Sequence, residues 1–408
     1  MKKGHLVVVL AVVSIAAIAI LAHRARASVR VPALEKPLPP PTVDPAAYNA
    51  KMLQLANLPP QTDCAPARRR LEPRPGRQTE RKNRRRTLPA PARSSAIAIH
   101  PAAYAGKQSA SRLKSASRLK TIGRRKPARR RRPCPAPLWP VHTVLPQAGA
   151  LLPFKRIVTY YGNFYSRQMG ILGQYPPAQV IARLRAQAAA WARADPSTPV
   201  ELALDYIAVS AQQAPGRSGR YRMRMPGGQI DKALRMARQI HGLLFLDVQP
   251  GWSTVQAEVP PLAKYLQQPN VELALDPEFA LIRGKRPGKY RGTLNAAAIN
   301  FAARFLAKLV ARNHLPPKLL VIHRFTQRMV TGSGRIRPLP QVEIVMDMDG
   351  FGSPAEKISA YRDFIERRPV QFTGFKLFYK NDVKWGGHLM TPAEVLRLSP
   401  RPSFILYQ

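Results

Sequence analysis

The chain has 408 residues and a formal net charge of +44, from 66 Lys and Arg against 22 Asp and Glu. That length admits one large domain with appended segments, and the charge excludes an acidic, solvating protein. Its two cysteines, Cys64 and Cys134, lie in Pro- and Arg-rich surroundings and support neither a metal centre nor a redox motif.

At the amino terminus, Lys2 and Lys3 precede an apolar run at residues 6–22, followed by Ala25-Arg26-Ala27. A charged start, an apolar middle and a small-residue end make residues 1–27 an export signal or, if uncleaved, an N-terminal membrane anchor. The rest of the chain is then expected to be extracytoplasmic, either secreted or tethered by that helix. Residues 28–135 read as a disordered, basic linker. They carry Pro39-Pro40-Pro41, several Arg clusters and the tandem repeat SASRLK at 109–114 and 115–120. Such a tail attracts anionic polymers or lipid, although an Arg-rich composition bias explains the same residues. No specific nucleic-acid partner is indicated. One island, residues 45–58, has helical spacing and is expected to pack on the folded domain.

Residues 136–408 contain a repeat. VELALD occurs at 200–205 and again at 271–276, and VEIVMD at 342–347, each 71 residues after the last. Every copy alternates like a strand and ends in Asp. Further strand-like runs stand at 157–161, 242–247, 318–323, 375–379 and 403–407. Helical patterns separate most of them. Val180, Ile181, Leu184, Ala188 and Trp191 mark the first helix, and Ala298, Ala302, Phe305, Leu306 and Leu309 a later one. Capping boxes are expected at Ser253–Gln256, Ser353–Glu356 and Thr391–Glu394. Eight strands alternating with helices predict an α/β fold, a (β/α)8 barrel preceded by the long basic, Pro-rich segment. No eighth helix follows the last strand, so the island at 45–58 is a candidate cover for that seam.

In such a barrel the carboxyl ends of the strands form the reactive face. Asp205, Asp276 and Asp347 are expected to share one interior layer there, with Glu278 one step higher and Asp247 in the adjacent layer. A ring of carboxylates is costly unless paired or used, and like charges raise at least one pKa. Two carboxylates flanking a bond are what glycoside hydrolysis requires. The catalytic candidates are therefore Asp276, Glu278 and Asp347. Tyr161, Asp205, Tyr206, Asp247, Trp252, His323, Asp349, Lys376 and Tyr379 are the candidate substrate-binding residues. Barrel-end Asp residues also cap loops and bind Arg, so each carboxylate has a structural alternative. Glu201, Glu272 and Glu343 are expected inward at the opposite mouth as structural groups, partnered by bases such as Arg156 or Lys318. Basic loops after strands 2 and 4 suit a polymer carrying phosphate or carboxylate groups. There is no G-x-S-x-G elbow and no Gly-rich phosphate loop, and His323 is the single His at a strand end. No cofactor and no metal are expected, the alternative being an Mg or Ca site made of carboxylates alone.

The segments 169–173 (MGILG), 246–251 (LDVQPG), 275–278 (LDPE), 349–352 (DGFG) and 376–379 (KLFY) carry a resemblance. In them the barrel resembles uncharacterised exported proteins and lipoproteins of actinobacteria. The resemblance implies a glycosidase-like barrel and supplies no catalytic assignment. Lipoprotein members carry a lipid-bearing Cys that this chain lacks. The expected function is hydrolysis of cell-envelope or extracellular polysaccharide through a carboxylate pair. The alternative is a non-catalytic protein that binds carbohydrate or another anionic cell-envelope polymer.

Overall fold

The computed structural model describes residues 41–58 and 137–408. The apolar run at 6–22, both cysteines, the Arg clusters and the SASRLK repeat lie outside the described residues. Among the described residues no helix is long and apolar enough to cross a membrane.

Eight strands form the centre: β1 (Arg156–Gly162), β2 (Val200–Ala211), β3 (Leu243–Val248), β4 (Val271–Leu275), β5 (Lys318–Arg324), β6 (Val342–Met348), β7 (Phe372–Leu377) and β8 (Phe404–Tyr407). Each pairs in parallel with the next, and β1 pairs with both β8 and β2, so the sheet closes. This is the expected (β/α)8 barrel, with the three repeats as strands 2, 4 and 6. Parallel strands buried on both faces read as continuous apolar runs, which is why they were visible in the sequence. The seventh lies a few residues earlier than expected, because the apolar run 375–379 continues past the strand into the turn that follows it.

Helices α2 (Pro177–Ala194), α3 (Gly227–Gln239), α4 (Ala296–Asn313) and α5 (Pro354–Tyr361) pack outside the barrel. Ser353 and Thr391 form the capping boxes expected of them. The turn at Val255–Glu258 is instead capped by Thr254, because the Ser253 hydroxyl donates to the Glu258 carboxylate at 2.5 Å. Residues on alternate strand positions fill two cores. Leu204, Leu273 and Ile344 point out toward the helices, and Ala203, Ala274 and Val345 point in.

Helix α1 (Pro45–Ala56) closes the amino-terminal end of the barrel. Its Tyr48 and Met52 join the interior cluster with Leu152, Ile157, Phe372 and Phe404. Its last turn is tied to the segment before β8: Arg401 N donates to Leu55 O, and Ser399 Oγ donates to Ala56 O at 2.8 Å. The island therefore covers the floor of the barrel, not an outer seam. The three repeat glutamates lie near that floor. Glu201 pairs with Lys155 at 2.7 Å, Glu272 accepts from Leu319 N and stands 3.8 Å from Lys318, and Glu343 accepts from Leu151 N and Leu152 N. Arg156 pairs with Asp195 and not with a repeat glutamate.

Candidate active site

Strand register fixes which side chains share a level. Asp205 is level with Phe245, and Phe245 with Glu272. His323 is level with Asp347, and Asp347 with Gly374. An eight-stranded barrel of shear 8 climbs one residue per strand. One interior layer is then Asp205, Ala274, Asp347 and Leu406. The next, from the odd strands, is Tyr161, Asp247, His323 and Lys376. Above it come Ile207, Asp276, Asp349 and Gln408. Asp276 is thus one step higher than Asp205 and Asp347, which corrects the single layer expected from the repeat. β4 ends at Leu275, and Asp276 already belongs to the turn beyond it.

These layers divide into a buried base and an open mouth. In the base, Asp205, Asp247, His323 and Asp347 are fully buried. Asp347 Oδ2 stands 3.0 Å from His323 Nδ1, and Asp205 Oδ2 stands 4.0 Å from Nε2 on the other side of the ring. Tyr161 donates to Asp247 Oδ2 at 2.8 Å. Both oxygens of Asp205, and one each of Asp247 and Asp347, find no hydrogen-bond partner among the described residues. Burial raises the pKa of all three carboxyls, and the charge of Asp247 pushes Asp205 further. Burial disfavours a charged His323, but the hydrogen bond to Asp347 and the charges of Asp349 and Asp247 outweigh it and push its pKa up to about 10.

The mouth holds a cavity of about 520 Å³. Asp276, Glu278 and Asp349 line it together with Lys376, Tyr161, Gln249 and Arg291. Asp276 Oδ1 accepts from Glu278 N at 3.1 Å and so fixes the turn that presents Glu278. Lys376 Nζ stands 2.9 Å from Asp349 Oδ1, close enough for an ion pair but outside hydrogen-bonding geometry. The same ammonium lies 4.0 Å from the centre of the Tyr161 ring. Burial works against the Lys376 charge, but Asp349, then Asp276 and Asp347, raise its pKa. Burial and then the charge of Asp349 raise the Glu278 carboxyl, with Lys376 and Arg291 opposing. Burial and then Asp247 raise Asp276 well above the usual range. Phe279, Phe325, Phe351 and Phe378 supply apolar walls, and Phe351 is 56% exposed.

Of the expected site residues, Asp276, Glu278, Asp349, Tyr161 and Lys376 meet in this cavity. Asp205, Asp247, His323 and Asp347 lie beneath it. Three do not reach it. Tyr206 follows an inward residue on β2, so it points out and stacks on Phe164 with ring centres 4.9 Å apart. Trp252 donates from Nε1 to Lys285 O at 2.6 Å and packs on Tyr221, bracing two loops. Tyr379 pairs with the Tyr160 hydroxyl at 3.0 Å and stacks on Tyr407. Phe325 and Gln408 also line the cavity and were not expected there. Each is two residues beyond an inward residue, His323 and Leu406, so the alternation continued past the strand end would have found them.

No family model matches the chain, and no curated protein matches it. Among solved structures it is similar to a mannanase from Bacillus subtilis at 10% identity. That match covers 62% of this chain and 80% of the mannanase, with a TM-score of 0.33. It is also similar to a putative alpha-L-fucosidase from Bacteroides thetaiotaomicron at 7% identity, covering 66% of this chain and 88% of that one, with a TM-score of 0.32. At this distance neither transfers a residue role.

Proposed function

We propose that this chain is a glycoside hydrolase-type enzyme that cleaves cell-envelope or extracellular polysaccharide through a pair of carboxylates, Glu278 and Asp349. One observation carries the reading: both line a single cavity at the carboxyl end of a closed barrel, in unlike electrostatic settings. Glu278 has its proton affinity raised by burial and by its acidic neighbour. Asp349 has an ammonium at ion-pair distance. Glycoside hydrolysis needs that asymmetry, because one carboxyl must give a proton while the other stays charged. In the proposed reaction, Glu278 protonates the glycosidic oxygen as its bond to the anomeric carbon breaks. Asp349 either bonds to that carbon, to be displaced by a water whose proton the Glu278 carboxylate takes, or removes a proton from a water that attacks the carbon directly. Asp276 and Gln249 orient the acid and the sugar, the phenylalanines stack on sugar faces, and Asp347 sets the buried His323. Asp347 is proposed as a positioning group because it does not line the cavity. Export to the cell surface, by the segment 1–27, would bring the enzyme to such polymers.

The test is release of reducing ends from a panel of neutral and acidic polysaccharides by the full chain and by Glu278→Gln and Asp349→Asn. Loss of an acid–base group lowers turnover by about 10²–10⁴-fold. The reading requires that loss with a thermal midpoint near that of the wild type. Binding without bond cleavage by the wild type would overturn it and leave the non-catalytic carbohydrate-binding reading, which the Lys376–Asp349 pair also suits.

A further inference from the structure

A second cavity, of about 840 Å³, shares Glu278 and Arg291 with the first. Its wall holds Lys285, Lys289, Arg291 and Arg328, and Glu278 is its one carboxylate. Among the described residues none of these four cations is in an ion pair. Arg291 instead lies 5.2 Å from the Phe325 ring centre and Lys285 5.9 Å from that of Tyr290. The balance of charge therefore changes across the shared Glu278 and Arg291, from three carboxylates against Lys376 and Arg291 in the first cavity to four cations against Glu278 alone in the second.

The fold builds this change close to Glu278. Lys285, Lys289 and Arg291 come from the segment after β4, and Arg328 from the one after β5. The two segments are held together by a two-stranded parallel sheet, Leu294 beside Val330 and Asn295 beside Thr331. Gly292 N donates to Glu278 O at 2.5 Å, and Thr293 N to Ala280 O at 3.0 Å. A Cβ on Gly292 would meet Ala280 O at 2.4 Å, so only glycine lets the basic segment return against the turn that carries Glu278. Cations gathered on one wall outside any ion pair repel one another, and an anion in their midst relieves that repulsion.

We infer that the second cavity is a subsite for an anionic group, so that the substrate is an acidic polysaccharide. The sugar beside the one cleaved carries a carboxylate, sulfate or phosphate, and Lys285, Lys289, Arg291 and Arg328 hold it. This rests on the hydrolase reading for the site but is tested by binding alone. Three probes separate the anions: an oligogalacturonate for carboxylate, a chondroitin sulfate hexasaccharide for sulfate, and a polyol-phosphate oligomer for phosphate. Each is titrated calorimetrically into the full chain beside uncharged maltohexaose and cellohexaose. The inference predicts that at least one anionic probe binds ten or more times tighter than either uncharged sugar. Lys289→Ala/Arg328→Ala should remove that preference. Arg304→Ala/Lys308→Ala, a control pair on the exposed face of α4, should keep it, which separates the subsite from the overall charge. Equal binding of charged and uncharged probes, or a preference that survives Lys289→Ala/Arg328→Ala, would overturn the inference. Selective anion binding with no cleavage of any polymer would instead defeat the hydrolase reading alone.

Discussion

A Cβ on Gly374 would stand 2.5 Å from Asp347 Oδ1. The absent side chain on β7 is what allows Asp347 to sit against the strand and still reach His323. Gly374→Ala should displace Asp347, cost about 1–3 kcal/mol as overpacking does, and lower turnover. Thermal melts and polymer kinetics on the same variant check both, and unchanged turnover would mean that the buried base does not set the mouth. Two buried groups, one in the base and one at the floor, also make stability depend on pH. His323 has its folded pKa near 10 against an ordinary 6.5, and burial pushes that of Glu343 up to about 8 from 4.5 against the opposing pull of two backbone amides. A group whose pKa is raised on folding gives its full stabilisation below the unfolded value and loses it as pH rises through the folded value. Stability should therefore fall from acid to alkaline pH, over about 4.5–8 for Glu343 and 6.5–10 for His323. Thermal midpoints across that range check this. Glu343→Gln should flatten the lower part of the slope and His323→Asn the upper part.

Among the elements, α1 closes the floor of the barrel with two side chains. Tyr48 is 2% exposed and Met52 4%, both against the first residues of the strands. Met52→Ala should cost roughly 2–4 kcal/mol as a core truncation. It lies at the end of the barrel opposite the cavity, so kcat/KM should not change. A melt and a rate measurement together decide whether floor and mouth are independent. The strands themselves were legible because burial on both faces leaves a periodic trace in the residues. The repeat VExxxD carried the strand order with it. It did not carry the vertical offset between copies, because that depends on the shear of the closed sheet. Asp205 and Asp276 end identical hexapeptides, yet one is buried in the base and the other lines the open mouth. Tyr206 shows the opposite case. Its outward direction follows from its neighbour Asp205 pointing in, and the aromatic type alone suggested a sugar contact. Trp252 and Tyr379 depended on loop packing that no local pattern encodes.

At the scale of the whole molecule, the excess of positive charge has two sources. Residues 1–135 carry 30 Lys and Arg against 5 Asp and Glu, and the remainder 36 against 17. Acids are few in the domain, and several of them converge on one barrel end, where they are costly unless used. That concentration is the physical reason for reading the mouth as a site of chemistry. The most direct measurement is the pH dependence of kcat/KM on a cleaved polymer, compared with an aryl glycoside whose leaving group needs no proton. The account predicts an alkaline fall in polymer cleavage at a pKa above 4.5, the ordinary value for Glu278. Glu278→Gln should abolish that limb and most of the polymer rate while retaining cleavage of the aryl glycoside. A polymer profile with the same alkaline limb in Glu278→Gln as in the wild type would contradict it.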